Sequence, residues 1–131
     1  MTCFWNGILH SLNDDDWRIL KFSKKPSINE FILKIKVLNR PLNAVKWQNQ
    51  VLTKQEKQEH FEAIRDYDIT KINQGHLTSI CDPFLLFLSD FLNIKIIHIF
   101  LNSQITYENT HHIRKTLKFR SNHSHFQRFS A

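Results

Sequence analysis

The chain has 131 residues, a mass of 15.7 kDa and a formal net charge of +6. That length allows one hydrophobic core and excludes a second, so a single domain over residues 1–131 is expected. A hydrophobic content of 41%, with eleven Phe and three Trp, excludes a disordered chain.

Phe4, Ile8 and Leu12 recur on one face of a 3.6-residue period, and Trp5 and Leu9 widen it, so a buried helix opens the chain. Cys3 falls at its start, where unpaired backbone N–H groups and the positive end of the helix dipole favour a thiolate. From this stretch alone, a small apolar residue at the terminus is the favoured reading of Cys3. Asn13-Asp14-Asp15-Asp16 predicts a turn and an N-cap before the short apolar segment Trp17 to Leu20. Those acids suit capping better than a cation, because no second ligand cluster stands beside them.

Pro26-Ser27 opens the next helix with capping-box spacing to Glu30, and Ile28, Phe31, Ile32, Ile35 and Leu38 keep the helical period until Asn39-Arg40-Pro41. Asn43 to Leu52 reads as an extended segment and turn, with Trp47 packed on the core or lining a groove. Thr53 and Glu56 form a second capping box before a polar helix ending near Arg65, in which only Phe61 and Ile64 are clear apolar contacts. Asp66 to His76 reads as irregular. Asp82 is then expected to cap a helix with Pro83 at its first position, packing Phe84, Leu85, Leu88 and Leu92 on the Cys3 helix. Ile94 to Phe100 is the strongest strand signal, followed by a turn, Ile105 to Tyr107, and a third strand over Thr116 to Phe119. A polar turn and a strand opening on His125-Phe126 complete a terminal hairpin. The pattern is α+β, a small and mostly antiparallel sheet flanked by helices.

Cys3 and Cys81 form no disulfide framework, which suits reduced thiols and a cytoplasmic location. The N-terminal residues lack a signal-peptide pattern, and Ile94 to Leu101 is too short to span a membrane. Lys and Arg are scattered, with modest clusters at Lys21-Lys24-Lys25 and Arg114-Lys115-Lys118-Arg120, and no nucleic-acid motif accompanies them. His111-His112 and His123-x-His125 could offer zinc ligands, but no cluster completes four, so no metal and no other cofactor is expected. Phosphate loops and serine-hydrolase or zincin motifs are absent from the sequence.

A cysteine opening the first helix and a histidine opening the last strand can meet in space as a thiolate–imidazole pair. Cys3-Phe4-Trp5-Asn6-Gly7-Ile8 resembles the nucleophile motif of the OTU (ovarian tumour) cysteine peptidases, a Cys-apolar-aromatic-polar-small-apolar run. His125-Phe126 resembles that family's general base, a histidine before an aromatic residue. Asp82 to Leu88 followed by Asn93 to Ile99 resembles its helix and "I-x-I" strand. Two positions depart from the family pattern: Met1-Thr2 stand where Asp-Gly is common, and Gln127 stands where Asp or Asn usually follows the histidine.

The resemblance implies a papain-like, OTU-like core and a deubiquitinase, a thiol protease of the ubiquitin conjugation pathway. Cys3 would be the nucleophile, His125 the base and Gln127 the orienting residue, sharing a strand face with His125. Backbone N–H groups of Thr2 and Cys3 would form the oxyanion hole. The implied partners are ubiquitin or a ubiquitin-like modifier and polyubiquitin chains, with no nucleic acid, no membrane and a monomeric state. The Ile, Asn and Lys richness is compatible with a viral effector in the host-cell cytoplasm. The alternatives are an inactive OTU-like module that binds ubiquitin and a basic nucleic-acid-binding domain, whose affinity would fall steeply with salt.

Overall fold

The computed structural model describes residues 3–71, 78–122 and 126–128, with the side chains of 3, 71, 78–81 and 126–128 left aside. Five helices and six strands are described: α1 Cys3–Ser11, α2 Asp14–Ile19, α3 Ile28–Leu38, β1 Val45–Trp47, β2 Gln50–Val51, α4 Lys54–Arg65, α5 Thr78–Leu92, β3 Lys95–Phe100, β4 Ser103–Asn109, β5 Thr116–Ser121 and β6 Phe126–Arg128. The class is α+β, as the sequence pattern predicts. No helix among the described residues is long and apolar enough to cross a membrane.

The helix starts follow local capping chemistry. Asn13 Oδ1 accepts from the N–H of Asp15 and Asp16, while the Asp16 carboxylate accepts from the Asn13 N–H. Ser27 with Glu30 and Thr53 with Glu56 form the same reciprocal boxes. Asn93, in the left-handed region at φ 57°, ends α5. On α4 only Ile64 is buried, which matches the polar reading of that helix.

The sheet order is β2-β1-β4-β3-β5-β6, and every neighbouring pair is antiparallel except β3–β5. The β1–β2 hairpin turns on Gln48-Asn49, both at positive φ, as a two-residue hairpin turn requires. After β4 the chain passes beneath the start of β3, where Arg114 N–H donates to the Asn93 carbonyl and Lys95 N–H to that of Lys115. That crossing sets β5 parallel to β3 and leaves β6 on the sheet edge. Ile96, Tyr107 and Leu117 form one buried row across three strands.

Two expectations need correction. Helix α5 begins at Thr78, so Pro83 lies inside it rather than at its first position, and Asp82 is not its cap. The proline has no N–H for the Ser79 carbonyl, a cost of roughly 3 kcal/mol in a helix interior. What offsets it is tertiary burial: Phe84 through Leu88 are all essentially inaccessible. The Asp82 carboxylate instead accepts the Tyr107 hydroxyl from β4. In the described part of the Asp66–His76 stretch, Tyr67 is buried and Ile69–Lys71 forms a 3-10 turn, so it is not wholly irregular, and residues 72–76 lie outside the described residues.

Candidate functional site

Cys3 is the first residue of α1, and the residues just after it fix where that helix end lies. Trp5 is wholly buried, and its Nε1–H donates to the Tyr67 hydroxyl at 3.3 Å. Its ring meets those of Phe4, Phe31, Tyr67 and Phe84 at centroid distances of 4.9, 6.2, 5.8 and 4.7 Å, all edge-on. Such a four-sided aromatic seat holds the first turn of α1 against α3 and α5. Phe4, Ile8, Leu9 and Leu12 are also buried, so the predicted apolar face is the observed one.

Helix α1 packs against β6 at the edge of the sheet. In β6, Gln127 is the register partner of Arg120, and Phe126 that of Ser121. The helix that Cys3 opens and the strand that carries Gln127 are therefore neighbours. Thr2 and His125 lie outside the described residues, as do the side chains of Cys3 and Gln127.

A second tie holds this end of the molecule together. Asp16, 0% exposed, accepts hydrogen bonds from Arg114 Nη2 at 2.7 Å and from Lys115 Nζ. Burial pushes its carboxyl up in pKa. The bonds from Arg114, Lys115 and the Asn13 N–H outweigh that and hold it below the usual carboxylate range. Arg114 Nε also donates to the Leu92 carbonyl. The chain just after α1 is thus bound to the segment that leads into β5, the partner of β6. The sequence reading assigned Asp16 to a cap and Arg114-Lys115 to a scattered basic cluster. The cap is real, but the ion pairs span 98 and 99 positions and leave no local signal.

Of two other polar groupings, one is buried and one half-buried. His98 Nε2 and Ser121 Oγ share a hydrogen bond of 2.5 Å, a nucleophile–base spacing, yet each residue is only 4% exposed and no substrate carbonyl reaches them. Burial pushes the Asp82 carboxyl up, and the Tyr107 hydroxyl and His60 offset only part of that. His60 on α4 stands edge-on to Trp47 at 5.1 Å, and burial pushes its imidazole down. Trp47 is partly buried against the core, the first of the two placements its sequence context offers.

Among the described residues, no group of three His, Cys, Asp or Glu could hold a metal ion. Compared with models of protein families, with curated proteins and with solved structures, the chain has no match in any of the three.

Proposed function

We propose that the chain is an OTU-like cysteine peptidase that hydrolyses isopeptide bonds of ubiquitin or ubiquitin-like conjugates. The observation that carries this reading is the packing of α1, which Cys3 opens, against β6, whose first residue follows His125. Supporting it are the two motifs at those places, Cys3-Phe4-Trp5-Asn6-Gly7-Ile8 and His125-Phe126.

The chemistry follows from the residue types. His125 takes the Cys3 thiol proton, and the thiolate, favoured at a helix N-terminus, attacks the carbonyl carbon at the modifier's C-terminus. Backbone N–H groups of Thr2 and Cys3 receive the negative oxygen. The imidazolium gives its proton to the departing lysine amine, leaving a thioester on Cys3. His125 then draws a proton from water, whose attack releases the modifier and restores the thiol. The Gln127 amide oxygen accepts the Nδ1–H of His125 and keeps the ring in the working tautomer.

Hydrolysis of ubiquitin bearing a fluorogenic C-terminal amide tests this. Turnover lost in Cys3→Ala and retained in Cys81→Ala is the expected result. Gln127→Ala should lower kcat with KM little changed, because it removes an orienting contact rather than a binding one. Equal turnover in wild type and Cys3→Ala would overturn the assignment. A second reading, a ubiquitin-binding module without hydrolysis, is favoured by the amide at Gln127 and by Met1-Thr2 in place of Asp-Gly. It predicts saturable ubiquitin binding, unchanged in Cys3→Ala, with no turnover in any variant.

A further inference from the structure

We infer that the hollow beside α2 is a binding site for a small phosphate-bearing molecule, a function separate from the peptidase reading. The hollow has a volume of about 360 Å³ and is lined by Asp14, Trp17, Arg18, Phe22, Ser23, Lys24 and Lys25. Three cations and one carboxylate line it, with Asp15 paired to Arg18 and Glu30 near Lys24 just outside. A cavity of this size lies at the lower end of the range for small-molecule sites.

Its floor is pinned rather than loose. After α2 the chain turns at Lys21, at φ 69°, and folds back so that the Phe22 N–H donates to the Trp17 carbonyl at 2.8 Å. The Phe22 and Trp17 rings meet edge-on at 6.2 Å. Lys34 closes the back of the loop, with Nζ 4.9 Å from the Phe22 ring centre and 3.4 Å from the Lys21 carbonyl oxygen. Lys24 and Lys25 therefore project from a braced segment.

The cations are available. Neither Lys24 nor Lys25 forms an ion pair among the described residues, and both are exposed. Among the described residues Arg18 pairs only with Asp15 at 3.2 Å, with side chains 76% and 66% exposed, a contact that water weakens and a better anion can replace. On the other flank of Arg18 a second hollow of about 350 Å³ is lined by Asp15, Ile19 and Arg114. There Arg114 is already neutralised by buried Asp16. The two lining cations with no ion-pair partner among the described residues, Lys24 and Lys25, lie on the other side, with Glu30 close enough to Lys24 that this charge, after the hydrogen bonds with Ser27, lowers its carboxyl pKa.

These features select the ligand. Arg18 offers a planar fork, and the two lysines offer mobile point charges, a set that suits the closely spaced oxygens of a phosphate dianion. Ser23 adds a hydroxyl, and Phe22 an apolar edge for a short organic portion. A long polyanion fits less well, because Asp14 and Asp15 flank the cations and would repel a continuing phosphate backbone. The inference is a monophosphate or diphosphate of a small organic molecule.

Titration of the full chain with phenyl phosphate and with inorganic pyrophosphate, followed by 1H–15N NMR, tests this directly. Saturable shifts concentrated at Arg18 and Phe22 to Lys25 are expected. The double variant Lys24→Ala/Lys25→Ala should bind at least about tenfold more weakly. It should otherwise keep the wild-type spectrum, and Lys57→Ala on α4 should bind as wild type does. Non-saturating shifts spread over lysines throughout the chain, or equal affinity in the double variant, would overturn the site. Phosphatidylcholine vesicles containing phosphatidic acid supply the membrane-bound source of the same chemistry. Binding to those vesicles without binding of either soluble phosphate would overturn the small-molecule assignment.

Discussion

Helices α1 and α5 each carry one cysteine near the start, Cys3 and Cys81, and each is buried against the sheet, but they serve opposite halves of it. Helix α1 packs on edge strand β6, while α5 packs on β4, β1 and β3. Carboxylates reinforce the division, with Asp16 and Asp90 buried and Asp82 half-buried. Asp16, just beyond α1, ties that end to Arg114 and Lys115 before β5. Asp90 of α5 accepts the Ala44 N–H at 2.8 Å beside β1, and Asp82 accepts the Tyr107 hydroxyl of β4. Similar apolar helices are thus sorted to different strands by a few polar ties. The sorting sets α1, the helix that Cys3 opens, and not α5, against β6.

Breaking the α1 seat should have the largest effect. Trp5→Ala removes the ring that touches Phe4, Phe31, Tyr67 and Phe84, and a cost of roughly 4 kcal/mol in chemical denaturation is expected. Next comes the tie beyond the helix. Asp16→Ala should cost about 3 kcal/mol, the low end for breaking a buried pair. Arg114 and Lys115 keep about a quarter of their side-chain surface in water, which limits the penalty for leaving them unpaired.

The two carboxylates sharpen the contrast through pH. Asp16 has a folded-state pKa below its unfolded value, so its stabilisation is fully present above the ordinary carboxylate pKa of about 3.9. That stabilisation is lost as pH falls through the folded value. Asp82 has the opposite shift: the folded state holds its proton more tightly, so stability falls as pH rises from about 3.9 through the folded pKa. Asp16→Asn should flatten the acid limb of a stability–pH curve, and Asp82→Asn should remove the decline just above it. Identical curves for the two variants would contradict the assigned environments. The smallest effect is expected at α3, where Ser27→Ala removes a cap and should cost about 1 kcal/mol in the same denaturation experiment.

What was legible in the sequence was whatever local chemistry decides. The capping residues Asn13, Ser27 and Thr53, the face of Phe4, Ile8 and Leu12, and the strand at Ile96 depend on neighbours within a few positions. The start of α5 is not legible locally, because Asp82-Pro83 is a good local N-terminus, whereas Asp82 is engaged by Tyr107, 25 positions away. Tyr67 lay in a polar stretch, and its burial comes from Trp5 and Phe84. The parallel β3–β5 pair likewise depends on how the 110–115 segment crosses, which strand periodicity does not encode. For the site, the sequence supplied the residue types and their order. The fold adds the contact of α1 with β6, a consequence of topology that no single motif contains.

The most direct measurement is reaction of the full chain with ubiquitin carrying a thiol-reactive C-terminal group, with the modified peptide located by mass spectrometry. The account predicts one adduct, on Cys3, lost in Cys3→Ala and His125→Ala and retained in Cys81→Ala. An adduct on Cys81, or no adduct from folded protein, would contradict it.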